Sequence, residues 1–120
     1  MTYFKTKLDG NHKQVCQYLE AHGCEVWQCL KPLDLYVWRK GETAFVEVKM
    51  PGSQAKWTRT QLLFIGSTKF NVLIATSPED ALYKLRDRQY LKHKDKDYIS
   101  TMLAFDSREY FTPREIGWSL

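Results

Sequence analysis

Apolar residues recur along the chain with a period that changes from segment to segment, and this pattern predicts the order of helices and strands. Residues 11–22 carry apolar side chains at helical spacing, and Gly23 is suited to end that helix. Three runs with strand character follow, at residues 24–29, 34–39 and 43–50. Residues 39–42 read as a tight turn between the last two, with Gly41 adopting a positive φ.

The second half of the chain predicts a helix, a buried strand and another helix. Residues 55–66 have helical spacing, residues 70–76 form a continuous apolar run, and Ser77 can cap a helix over residues 78–90. Residues 98–105 fit a strand or a short helix equally well, and residues 112–115 can cap a last turn. The order predicts an α/β domain, with a mixed sheet made of an antiparallel hairpin and a parallel crossover.

Composition limits the classes of protein that the chain can belong to. The 120 residues fit one domain, which we divide into a core at about residues 8–91 and a C-terminal extension at residues 92–120. No apolar run approaches membrane-spanning length, and the first residues lack the apolar core of a secretory signal. The chain has three cysteines, an odd number that does not indicate a disulfide framework, so we expect reduced thiols in a cytoplasmic protein. The net charge of +4 is a mild bias toward anionic partners.

Two acidic residues and a lysine carry the candidate chemistry. Asp34 begins the second predicted strand, and Glu47 and Lys49 lie near the end of the third. Side chains alternate between the two faces of a strand, so Glu47 and Lys49 share a face. If the hairpin forms, both carboxylates meet at the same edge of the sheet.

Two adjacent carboxylates are stable when a cation neutralises them, and Mg²⁺ or Mn²⁺ prefers such oxygen ligands. The ion would polarise a phosphate and activate a water molecule. Lys49 would hold that water or stabilise the charge that develops on the phosphate. The backbone carbonyl of Val48 could complete the ligand set.

The spacing of Asp34 and the Glu47-Val48-Lys49 triplet resembles the PD-(D/E)xK nuclease superfamily. Three further segments are similar to its VRR-NUC group: residues 9–11 at the start of the first helix, residues 55–61 before Gln61, and residues 70–82 at the last strand and helix. Together they cover about residues 8–83, in an order that Holliday-junction resolvases share. Pro32 lies one residue earlier than the proline of the family motif.

This resemblance implies a restriction-endonuclease-like mixed β-sheet flanked by helices, with an α-β-β-β-α-β core. It implies that Asp34 and Glu47 bind metal, that Lys49 is catalytic, and that Gln61 orients water or phosphate. The implied activity is hydrolysis of DNA by a metal-dependent endonuclease acting as a homodimer, with selectivity for branched DNA left open. The apolar tail is a candidate dimer surface, through Met102, Leu103, Phe105, Tyr110, Phe111 and Trp118.

Several residues near this centre are candidates for binding nucleic acid, namely Asn11, His12, Lys56, Trp57 and Arg59. Asn11 occupies the place of a glutamate in many relatives, but capping the helix is its simpler role. Trp57 could stack on a base, and Lys56 and Arg59 could contact phosphates, although core packing and solvated charge explain them equally well.

An alternative function remains open at this stage. The same fold could be a catalytically inactive nucleic-acid-binding or assembly subunit. Neither function calls for a membrane or a small-molecule cofactor, and an origin in a phage, acting in the host cytoplasm, also stays open.

Overall fold

The computed structural model describes residues 10–29, 31–49 and 56–117, and side chains within these ranges from His12 onward. Four helices are present in this part of the chain: α1 (Gly10–Ala21), α2 (Arg59–Ser67), α3 (Pro78–Arg86) and α4 (His93–Phe105). The strands are β1 (Glu25–Gln28), β2 (Leu35–Arg39), β3 (Glu42–Val48), β4 (Trp57–Thr58), β5 (Val72–Ala75) and β6 (Tyr110–Phe111).

The main sheet has the strand order β1-β2-β3-β5. The first three strands pair antiparallel, and β5 pairs parallel with β3 after the crossover through α2. The turn between β2 and β3 has positive φ at both Lys40 and Gly41, 49° and 82°, which matches the twist of a two-residue hairpin. A separate two-stranded sheet pairs β4 with β6.

One face of the main sheet packs against α1 and α3. Alternate residues of each strand point to this face, as the two-residue period of a strand requires. They form one apolar cluster with the inward side chains of the two helices, including Val15, Leu19, Val26, Val37, Val46, Leu73 and Leu82.

The described residues cover the opposite face only in part. Over β5, the side chains of α2 and α4 form a second apolar cluster that includes Trp57, Leu62, Ile65, Val72, Ile99 and Leu103. Over β1 and β2 the same face leaves Trp27 and Trp38 42% and 46% exposed. The sheet therefore has a covered half beside α2 and an open aromatic half.

The predicted mixed α/β architecture is confirmed, with adjustments at several ends. The predicted helix over 55–66 begins only at Arg59, because Trp57 and Thr58 pair with Phe111 and Tyr110 as strand β4; residues 51–55 lie outside the described part. The predicted helix over 78–90 ends at Arg86. Residues 98–105 belong to a helix, α4, whose buried Ile99 and Leu103 are four residues apart.

Within the described residues, the tail buries some of its apolar side chains against the rest of the protein and leaves others exposed. Leu103 and Phe111 are 4% and 1% exposed within the second cluster, so their predicted place on a dimer surface is wrong. Phe105 is 89% exposed and Tyr110 60%, and Trp118 lies outside the described residues. No helix in the described ranges is both long enough and apolar enough to cross a membrane.

Candidate active site

Asp34 and Glu47 lie side by side at one edge of the main sheet. Leu35 is paired with Val46 across the hairpin. Asp34 precedes Leu35 and Glu47 follows Val46, so these two residues lie opposite each other. The Asp34 backbone N–H donates to Glu47 Oε1 at 3.0 Å, and the Val48 N–H donates to Asp34 Oδ2 at 2.9 Å. Each carboxylate therefore binds the backbone of the opposite strand.

Glu47 is buried, with 2% of its surface exposed. Burial and the charge of Asp34 raise its pKa to about 7, although Lys49 and the hydrogen bond from the Asp34 backbone oppose the shift. Burial penalises the carboxylate form, and a second carboxylate nearby adds repulsion. A cation bound between the two carboxylates would oppose both effects and favour the ionised form of Glu47.

Lys49 lies on the same face of β3 as Glu47, as the alternation of side chains requires. Its Nζ is 3.2 Å from Glu47 Oε2 and donates to the Lys56 carbonyl oxygen at 3.1 Å. The same ammonium lies 4.5 Å from the centre of the Trp57 ring. These contacts fix the lysine head group beside the buried carboxylate.

Gln61 reaches the site from the first turn of α2. Its Nε2 donates to Glu47 Oε2 at 3.0 Å, and its Oε1 accepts from the Thr58 N–H at 3.1 Å. In return, Thr58 Oγ1 accepts from the Gln61 N–H at 3.2 Å, which completes a capping box at the start of the helix. The capping box therefore orients the amide of Gln61 toward Glu47.

His12 approaches the site from the opposite side, on α1. Its Nε2 is 3.2 Å from Asp34 Oδ2, and both side chains are 20% exposed. The side chain of Asn11, another predicted contact, lies outside the described part of the structure.

Two cysteines near Asp34 are poor nucleophiles. Burial, with the charges of Glu20 and Asp34, raises the pKa of Cys16 to about 12, and burial and Asp34 also raise the pKa of Cys29. A raised pKa keeps a thiol in its unreactive protonated form. Neither thiol is therefore a candidate nucleophile at this site.

Of the predicted nucleic-acid contacts, two are directed into the protein. Trp57 is fully buried, so it cannot stack on a base as predicted. The Arg59 guanidinium donates to the carbonyl oxygens of Leu103, Asp106 and Arg108 at the end of α4, and its predicted contact with phosphate stays a prediction. Both residues face the tail, which the sequence pattern did not reveal.

Lys56 remains a candidate phosphate contact. It is exposed, and its ammonium lies 5.9 Å from the ring centre of Tyr110. Tyr110 and Gln61 line a cavity of about 350 Å³, together with Lys31, Pro32, Thr58 and Glu109. This cavity gives access to the Gln61 side of the site.

The donor set suits a hard divalent cation. Among the described residues no three His, Cys, Asp or Glu side chains group in a way that would hold a metal by themselves. Mg²⁺, however, usually takes one or two carboxylates and keeps several waters, so the Asp34 and Glu47 pair fits it. The Val48 N–H faces Asp34, and because the N–H and C=O of a strand residue face the same neighbour, its carbonyl is directed to that side as well.

Sequence reasoning missed two features of this site, the role of Thr58 and the contact between His12 and Asp34. The first had a readable signal, because Thr58-x-x-Gln61 has the spacing of a capping box. The second had none, because the two residues lie in different elements and meet only when α1 packs on the sheet.

Comparisons of the chain with known protein families, with curated proteins and with solved structures give no match.

Proposed function

We propose that this protein is a metal-dependent nuclease that hydrolyses phosphodiester bonds of DNA. The observation that carries the proposal is the pairing of Asp34 with the buried Glu47 across the β2–β3 hairpin, with Lys49 Nζ 3.2 Å from Glu47 Oε2. Two carboxylates can hold a divalent cation that activates water, and an ammonium beside them can stabilise the charge that develops on a phosphate. The proposed fold is restriction-endonuclease-like.

Asp34 and Glu47 would hold Mg²⁺ or Mn²⁺, with the Val48 carbonyl as a third oxygen ligand. The bound ion would supply Lewis-acid polarisation of the phosphate and a lowered pKa for water. In the reaction the water oxygen bonds to phosphorus, the bond to the 3′-oxygen breaks, and that oxygen takes up a proton. The products would be a 5′-phosphate and a 3′-hydroxyl.

Lys49 and Gln61 position and stabilise the reacting groups. The Lys49 ammonium is held against Glu47, the Lys56 carbonyl and the Trp57 ring, so it is preorganised to donate to a phosphoryl oxygen as negative charge develops. The Gln61 amide, oriented by the capping box, donates to Glu47 and can orient water.

One observation favours the alternative of an inactive binding or assembly subunit. Both oxygens of Glu47 already accept hydrogen bonds from the protein, from the Asp34 N–H at 3.0 Å and from Gln61 Nε2 at 3.0 Å. A buried carboxylate satisfied in this way can be purely structural. Against it, these bonds leave the pKa of Glu47 raised to about 7, so they do not fully compensate its burial.

Cleavage assays with purified protein test the proposal. Branched, duplex and single-stranded DNA are incubated with Mg²⁺, Mn²⁺ or EDTA, for the wild type and for the Asp34→Asn, Glu47→Gln and Lys49→Met variants. We expect cleavage that requires the metal and falls by about 100-fold or more in each variant.

Two matched control variants test whether a loss of cleavage comes from the candidate site or from the removal of any charged side chain. Glu79 and Lys94 are exposed residues of α3 and α4, so Glu79→Gln and Lys94→Met should cleave like the wild type. Cleavage that survives Asp34→Asn and Lys49→Met would overturn the assignment of the site. DNA binding without cleavage of any substrate would favour the inactive subunit.

A further inference from the structure

An open groove of about 680 Å³ lies on the aromatic half of the sheet, beside the candidate active site. Trp27, Gln28, Tyr36 and Phe45 line it, together with Lys31 and Pro32. We propose that this groove binds the unpaired DNA strand next to the scissile phosphate, with bases stacked on Trp27 and Tyr36. The inference rests on the proposed nuclease function and narrows its substrate to DNA with an unpaired segment.

The register of the sheet brings the aromatic residues next to the acidic pair. Trp27 pairs with Tyr36, and Tyr36 pairs with Phe45, so the three form a row across β1, β2 and β3. Asp34 precedes Tyr36 by two residues, and Glu47 follows Phe45 by two residues. The acidic pair is therefore about 7 Å from the aromatic row. A strand whose phosphate lies beside the acidic pair would therefore have its neighbouring nucleotide over the aromatic row.

The groove and the cavity at Gln61 share two lining residues. Lys31 and Pro32 line both of them, so the segment that carries these two residues forms the boundary between them. Lys31 is exposed, and its ammonium can bind a backbone phosphate that passes from one to the other. A single strand of nucleic acid has phosphates that can bind Lys31 and bases that can stack on the aromatic residues of the groove.

The exposed aromatic rings suit a base better than they suit the solvent. Trp27 is 42% exposed, and its indole N–H donates to Glu25 Oε2 at 2.8 Å. The polar atom of the side chain is therefore already hydrogen-bonded, and the face of the ring is available for stacking. Every base has a π-face, so such stacking tolerates any sequence. Paired bases are stacked within the duplex and cannot offer that face, so the ligand is an unpaired strand.

Binding to a fluorescently labelled oligothymidylate, measured by anisotropy in EDTA, tests the groove without cleavage. We compare Trp27→Ala and Trp27→Phe with Tyr83→Ala, which removes a 59% exposed aromatic ring on α3, at the opposite face of the sheet. We expect Trp27→Ala to raise the Kd roughly 5-fold or more, and the other two variants to bind like the wild type. Circular dichroism verifies that each variant is folded.

Cleavage of two substrates in Mg²⁺ separates this inference from the proposed function. One is a fully paired duplex, and the other is the same duplex with an unpaired strand at the cleavage point. We expect Trp27→Ala to slow cleavage of the second substrate selectively. If the wild type cleaves but Trp27→Ala changes neither the Kd nor this selectivity, the groove proposal is overturned and the nuclease proposal stands.

Two other outcomes are also decisive. If the wild type cleaves nothing while Trp27→Ala still weakens binding, the nuclease proposal fails and strand binding in the groove is supported. If Trp27→Ala converts a dimer to a monomer in light scattering and leaves oligothymidylate binding unchanged, a second copy of the chain covers the groove. That result would overturn the proposal.

Discussion

Asp34 and Glu47 each use the backbone of the other's strand as a hydrogen-bond donor: the Asp34 N–H binds Glu47 Oε1, and the Val48 N–H binds Asp34 Oδ2. The two acidic groups are therefore held by the hairpin itself, before any cation or substrate arrives. Such preorganisation is what an electrostatic catalyst needs, because the site does not have to rearrange during the reaction.

The raised pKa of Glu47 predicts a pH-dependent stability for the metal-free protein. The native pKa is about 7, against 4.5 for an unperturbed glutamate. Between these values the native state binds the proton more tightly than the unfolded state does, so the free energy of unfolding falls as pH rises through this window and levels off above it. The contribution of this group is on the order of a few kcal/mol.

Urea unfolding in EDTA at several pH values measures this effect. Glu47→Gln should abolish the fall in stability that belongs to this window, and Glu79→Gln, at an exposed position on α3, should retain it. Equal pH profiles for the wild type and Glu47→Gln would contradict the prediction.

The capping box at the start of α2 should affect both stability and activity. Thr58→Ala removes the hydroxyl that accepts from the Gln61 N–H, which should cost about 1 kcal/mol of unfolding free energy. It also loosens the turn that orients Gln61, so cleavage should slow beyond the loss of folded protein. Thr58→Ser should restore both.

Ser77 provides the matched comparison for this prediction, because its hydroxyl caps α3 by accepting from the Asp80 N–H at 3.0 Å. Ser77→Ala should cause a similar loss of stability with no change in the cleavage rate of the folded protein. If both caps slow cleavage equally, the effect is one of general stability.

The two kinds of tryptophan should respond differently to truncation. Trp57 is fully buried against Lys49, so Trp57→Ala should lower the free energy of unfolding by about 3–5 kcal/mol. Trp38 is 46% exposed, so Trp38→Ala should cost about 1 kcal/mol, clearly less than Trp57→Ala. Chemical denaturation of both variants checks the contrast, and equal effects would contradict the burial described here.

Gly66 permits the close approach of α2 and α4. A Cβ at this position would lie 2.5 Å from Ser100 Oγ, so Gly66→Ala should destabilise the protein by about 1–3 kcal/mol. Ser100→Ala removes the blocking oxygen, together with its hydrogen bond to the Gly66 carbonyl at 2.9 Å. A double-mutant cycle should therefore show that the glycine substitution costs less in the Ser100→Ala background, and strict additivity would count against this contact.

The hairpin was predictable from local signals, and it determines the acidic pair. Alternating side chains define β2 and β3, and Gly41 marks the turn, so the register that brings Asp34 opposite Glu47 follows from a short stretch of sequence. The helical position of Gln61 was also predictable from local signals, because residues 55–66 have apolar side chains at helical spacing. The assignment of this pair to metal binding and cleavage stays a prediction.

The contacts of the tail were not predictable from local signals. Arg59 binds carbonyl oxygens more than forty residues away along the chain, at Leu103, Asp106 and Arg108. Trp57 and Trp27 look alike in sequence, yet one is fully buried and the other is 42% exposed. Which aromatic ring is covered depends on where α2 and α4 pack over the sheet, and no single segment encodes that.

Through the contact of Arg59 with the end of α4, the tail helps to fix the position of α2 relative to the candidate site. Arg59 begins the helix whose first turn carries Gln61, and its guanidinium ties that helix to the segment that follows α4. Lengthening or shortening the chain around α4 would therefore shift a side chain that contacts Glu47, although the tail supplies none of the acidic or basic groups of the centre. The position of Gln61 beside Glu47 is in this sense determined partly by residues far away along the chain.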